Sequence, residues 1–113
     1  MSQEYQKYTD ITQDMNLQWE AKFGKKRISD LSIETSDGET VNFVIRKPDR
    51  QVLEAMGKHA AVKNVSATNK VLISNCVLGG DMEALEKDGE VYIEVLAQLN
   101  MLKQQAKATV KKR

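Results

Sequence analysis

Few residues of this 113-residue chain are of types that do covalent or acid–base chemistry, and they do not gather. The one histidine, His59, falls beside Lys58 and near Lys63, with no cysteine or carboxylate at ligand spacing. A catalytic site needs several converging groups, so His59 reads as an ordinary surface or boundary residue. The one cysteine, Cys76, lies in the apolar run Val71-Leu72-Ile73-Ser74-Asn75-Cys76-Val77-Leu78. No flanking cation depresses its pKa, and it reads as a small buried hydrophobe rather than a nucleophile. Gly79-Gly80-Asp81 is too short for a phosphate loop and has no following lysine; helix termination explains its glycines. There is no C-x-x-C or H-x-x-x-H spacing for zinc. Glu83, Glu86, Asp88, Glu90 and Glu94 form a local acidic cluster without the spacing of a calcium loop. The residues therefore predict no catalytic, cofactor-binding or metal-binding site, and a chain that is not an enzyme.

Lysine plus arginine (17) nearly balance aspartate plus glutamate (16), so no net field draws the chain to nucleic acid or to an anionic membrane. The basic end, Lys103, Lys107, Lys111, Lys112 and Arg113, lacks interleaved aromatics, and helix C-termini attract lysine through the dipole. No nucleic-acid partner is expected. A single thiol fits a reducing interior. Met1-Ser2-Gln3-Glu4-Tyr5-Gln6 has no basic segment leading into an apolar one, and no apolar run approaches the roughly 20 residues that span a bilayer. The expectation is a cytoplasmic protein with no membrane partner.

The elements available to position a site follow from periodicity. In residues 1–27, Asp10 and Gln13 stand at N-cap and N3 spacing, and Gly24 supplies a stop. Between them Ile11, Met15, Trp19 and Phe23 recur every four residues, with Tyr8 one turn earlier, giving an amphipathic helical arm. Its stripe either packs on the chain's own sheet or docks on another subunit. From Ile28 to Arg46 the period becomes two: Leu31, Ile33 and Thr35 alternate with Asp30, Ser32 and Glu34, and Val41, Phe43 and Ile45 with Asn42, Val44 and Arg46, on either side of Ser36-Asp37-Gly38-Glu39. Pro48 opens a helix running to about Val62 with Val52, Leu53, Met56 and Ala60 on one face. Ser66 caps a second, apolar helix that carries Cys76 and Val77 and stops at Gly79-Gly80. Asp81 caps a short turn, and a last helix from about Glu90 bears the stripe Val91, Val95, Leu99 and Leu102, widened by Tyr92 and Leu96. Fold class is α+β: an N-terminal helix and a small antiparallel hairpin or sheet packed against three or four helices. The divisions are an arm at 1–27, a central domain at 28–106 and a basic tail at 107–113.

The order of these elements resembles tail assembly chaperones of long-tailed phages and prophages, over about Ile28 to Ala106. Phe43-Val44-Ile45-Arg46-Lys47-Pro48-Asp49-Arg50 is similar to the family's strand into a proline-started helix, and Leu72-Ile73-Ser74-Asn75-Cys76-Val77 with Asp81 to its apolar helix and acidic turn. The resemblance implies a non-enzymatic protein that binds the tape measure protein and keeps it soluble until the tail tube forms around it. It also implies self-association into a homo-oligomer, and a longer frameshifted product if Lys111-Lys112 is encoded by an adenine run. A client of that kind exposes apolar helical stripes, so a complementary apolar surface is required. The candidates are Ile11, Met15, Trp19 and Phe23 with Val91, Val95, Leu99 and Leu102, and Trp19 is the expected anchor. A structural tail component of terminator or connector type, or a regulatory nucleic-acid binder, are the alternatives.

Overall fold

Alternation of apolar and polar residues on both sides of a Gly-containing turn dictates a hairpin, and the computed structural model has one. Strand β1, Ile28–Glu34, pairs antiparallel with β2, Thr40–Arg46, in a register that sets Leu31 opposite Phe43 and Ile33 opposite Val41. Gly38 takes φ +82° in the connecting turn, a left-handed conformation that suits glycine. The structure describes residues 4–103 and 106–113; residues 1–3 of the arm and 104–105 of the central domain lie outside the described residues.

A third strand, β3 (Val77–Gly80), pairs antiparallel with the free side of β2, giving the order β1-β2-β3. This corrects the expectation that the apolar helix continues through Val77. The helix ends at Cys76, because the next four residues supply the partner that the inner edge of β2 lacks. Glycine is required where the backbones meet: Gly80 has φ +144°, and a Cβ there would lie 2.5 Å from the Asn42 carbonyl oxygen.

The helices are α1 (Gln13–Phe23), α2 (Arg50–Ala61), α3 (Val65–Cys76), α4 (Met82–Lys87) and α5 (Gly89–Leu102). Three of the expected caps move. Thr12, not Asp10, caps α1 by accepting from Met15 N–H at 3.2 Å, while Asp10 closes a preceding 3₁₀ turn by accepting from Lys7 N–H. Pro48 sits just outside α2, and Asp49 caps it by accepting from Val52 N–H at 2.9 Å. Asn64 rather than Ser66 caps α3, through Ala67 N–H. In each case the side chain that reaches the free N–H two or three residues on takes the position.

Among the described residues the fold is thus α+β: five α-helices and a three-stranded antiparallel sheet. The pleat sends Leu31, Ile33, Val41, Phe43 and Ile45 to one side, where they join Val52, Met56, Leu72, Cys76, Leu85, Val91, Val95 and Leu99 in the main core. Val44 and Arg46 face the other side, which the N-terminal arm covers. Three layers result: arm, sheet, and the α2–α5 helices.

Candidate partner-binding surface

The arm folds back on the chain's own sheet. A Cβ built on Gly79 would stand 3.2 Å from the Trp19 ring and 3.3 Å from Ile11 Cδ1, so both side chains press on a strand that has no side chain there. The Phe23 ring lies 4.3 Å from the Arg46 guanidinium, a cation–π distance, and Met15 is half-buried on the same stripe. Upstream, Gln6 Oε1 accepts from Gly80 N–H, Gln6 O from Met82 N–H, and Asp81 accepts from both Tyr8 N–H (2.9 Å) and Asn42 N–H (2.8 Å). Asp81 therefore does not cap α4 through its side chain; it staples the arm to β2. Ile11, Met15, Trp19 and Phe23 are each partly buried on this side of the sheet, and Trp19, the expected anchor for a partner, packs on the chain's own β3.

The second stripe is also internal. Val91, Val95 and Leu99 are 0 % exposed, and Leu102 is half-buried against the same core. The two predicted stripes lie on opposite sides of the sheet, so the structure does not bring them together. A stripe of regular spacing announces that a helix packs on something, and here both pack on this chain.

Exposed large apolar side chains occur at Leu17, Leu53, Val62, Val65 and Val110, and as a row along the outward side of α5. Ile93 (64 % exposed), Ala97 and Met101 (59 %) follow one another at four-residue intervals on the face opposite Val91, Val95 and Leu99. Tyr92 and Leu96 flank them and lead into a groove of about 460 Å³ between α3, α4 and α5, floored by Ile73, Met82, Leu85 and Tyr92 and rimmed by Lys70 and Glu86. A helix apolar on both sides normally lies inside a protein. The signal was present in the sequence, where Tyr92, Ile93, Leu96 and Met101 interrupt what should be the polar face.

The groups with chemistry stay apart. Cys76 is buried and burial pushes its thiol up to about 11, which keeps it protonated at neutral pH. His59 is half-buried on α2. The acidic cluster is dispersed in structural duties: Glu83 faces Lys87 at 3.4 Å, Asp88 caps α5, and Glu90 accepts from the Ser36 amide and hydroxyl at 2.7 Å each. Among the described residues no three His, Cys, Asp or Glu side chains cluster where they could hold a metal ion, and no helix is long and apolar enough to cross a membrane. Comparison with protein-family models, with curated proteins and with solved structures finds no match.

Proposed function

We propose that this chain is a non-enzymatic tail assembly chaperone of a long-tailed phage or prophage, working in the host cytoplasm by holding the tape measure protein soluble until the tail tube forms around it. The observation that carries the reading is α5: its outward stripe and the adjoining groove offer an amphipathic client helix a row of anchors at its own spacing, and they are set on a helix whose opposite face, Val91, Val95 and Leu99, is fully buried. The order of elements is in keeping with it: β2 leads through Pro48 into α2, capped by Asp49, and the apolar helix α3 is followed by β3 and then Asp81.

Co-expression with a tape measure protein of a long-tailed phage tests the proposal, with pull-down and client solubility as readouts. The expected result is a complex that keeps the client soluble and that Ile93→Asp or Met101→Asp weakens by at least about tenfold, the cost of one hot-spot residue. Because both positions face solvent, the thermal midpoint of the chain itself should not move. A client equally soluble alone, with no complex formed, overturns the reading.

A further inference from the structure

β3 and β1 are the two outer strands of the sheet, and they are treated differently. The edge of β3 is covered, since Gly80 N–H is taken by Gln6 of the arm. The edge of β1 is open. Two bonds bracket the β1–β2 ladder, Lys47 N–H to Arg27 C=O at 2.9 Å and Thr35 N–H to Glu39 C=O at 2.8 Å. Together with the register they fix which residues point inward: Ser29, Leu31 and Ile33 exchange bonds with Ile45, Phe43 and Val41. The backbone groups of Asp30, Ser32 and Glu34, with the Ile28 carbonyl, therefore point away from the sheet. Among the described residues nothing bonds to those of Asp30, Ser32 and Glu34, and all three residues are exposed. Ile28 N–H alone is used, by Lys25 C=O in the preceding 3₁₀ turn. No proline or bulge blunts this strand, two of the usual devices that protect an edge; the charges it does carry are Asp30 and Glu34.

We propose that β1 is a pairing edge for a second copy of this chain, joined antiparallel about a two-fold axis at Leu31 to make one continuous sheet in the order β3-β2-β1-β1-β2-β3. The charges choose both the partner and the register. An axis at Asp30 sets Asp30 against Asp30 of the second copy, and an axis at Ser32 sets Asp30 against its Glu34; both place like charges directly opposite. An axis at Leu31 sets Asp30 against Ser32 and Ile28 against Glu34, and on the core side it sets Leu31 against Leu31. In that register Asp30 and Ser32 exchange both backbone bonds with Ser32 and Asp30 of the second copy, and Glu34 N–H reaches its Ile28 C=O. The flanks complete the match. Lys25, Lys26 and Arg27 precede the strand and Glu34, Asp37 and Glu39 follow its start, so antiparallel pairing brings the basic end of each copy to the acidic end of the other. The acidic residues of β1 act as a partial register filter: they disfavour the two alignments one residue to either side of the Leu31 axis.

Sedimentation equilibrium or native mass spectrometry of the purified full chain, without any client, tests this apart from the chaperone reading. A concentration-dependent dimer is expected. Ser32→Pro removes an N–H that points only outward, so it should abolish the dimer while circular dichroism keeps the monomer fold. Lys26→Glu and Glu34→Lys, both at exposed positions, should each weaken the dimer by about tenfold, because two symmetry-related attractions turn repulsive, and the double variant should recover most of the loss. A strictly monomeric chain overturns the proposal. So does a dimer that survives Ser32→Pro, or one that Ile93→Asp dissolves instead, which would place self-association on α5.

Discussion

The stripe that runs from Ile11 through α1 and the stripe of α5 carry similar arithmetic, four large apolar residues about one turn apart, and they end at different depths. Val91, Val95 and Leu99 of α5 are fully buried, whereas no residue of α1 is, and its Leu17 is 53 % exposed. The difference lies in what the sheet offers each helix. The α5 side presents Leu31, Ile33, Val41, Phe43 and Ile45, and three more helices close over the same volume. The α1 side presents Val44, the Arg46 guanidinium and a glycine backbone. Burial stabilises in proportion to apolar area removed from water, so equal stripes contribute unequally when one of them meets a thin, partly polar surface. The molecule thus has a strong layer and a weak one sharing a sheet, and the weak one is held as much by the hydrogen bonds of Gln6, Tyr8 and Asp81 as by contact area.

The comparison breaks first at its strongest point. Leu99→Ala should cost about 4 kcal/mol in urea denaturation, within the range for a fully enclosed leucine, and should speed exchange of every core amide. Gly80→Ala comes next, at about 3 kcal/mol, since a Cβ would meet the Asn42 carbonyl and the Phe43 backbone and φ +144° strains any side-chain-bearing residue. A loss below 1 kcal/mol for Leu99→Ala, by the same denaturation, would mean the α5 layer is not the deeper of the two.

How much of this could be read beforehand depended on whether a local signal had a local cause. The hairpin was legible because alternation and turn chemistry both sit within the strands they form. β3 was not: Val77-Leu78-Gly79-Gly80 has no alternation, and what makes it a strand is the vacant side of β2, more than thirty residues away in sequence. Helix caps were legible in kind and displaced by one to two residues where two suitable side chains compete, as Asp10 and Thr12 do. The candidate partner surface shifts for a different reason. Periodicity finds the face of a helix that packs, and it cannot say against what; the strongest stripe of α5 was claimed by the core, leaving the irregular residues Ile93 and Met101 outside. The open edge of β1 depends on which strand is terminal in the sheet, which no stretch of sequence states.

Smaller effects sharpen the contrast on the weak side. Trp19→Ala should cost about 2 kcal/mol, less than a fully buried tryptophan because Trp19 is only partly buried. Hydrogen exchange should show α1 amides opening while the α5 core stays protected, so the loss is confined to one layer. A cost equal to that of Leu99→Ala would unite the layers. Gly79→Ala should cost about 1 kcal/mol, since its Cβ meets only side-chain ends of Gln6, Trp19 and Ile11, which can yield. Neighbouring glycines would then differ about threefold, each reporting the layer its Cβ enters.

The smallest effect tests the residue where both layers meet. Arg46 stands under the Phe23 ring of α1, donates from Nε to the Asn75 carbonyl of α3 at 2.8 Å, and pairs through Nη1 with Asp49 at 3.2 Å, the cap of α2. The Val52 N–H, foremost, holds the Asp49 carboxyl below its usual range; burial opposes it, and the Arg46 guanidinium adds to the lowering. A depressed folded pKa contributes stability that is present above the ordinary carboxylate range and is lost as pH falls through the folded value. Asp49 is 45 % exposed, so water screens the pair and the loss should stay below about 1 kcal/mol. Asp49→Asn keeps an acceptor for Val52 N–H and removes the titration, so denaturation series across acid pH should give the variant a flatter profile with little change at neutral pH. If the two profiles superimpose, Asp49 is a cap alone, and Arg46 joins the layers through the Phe23 ring and the Asn75 carbonyl without it.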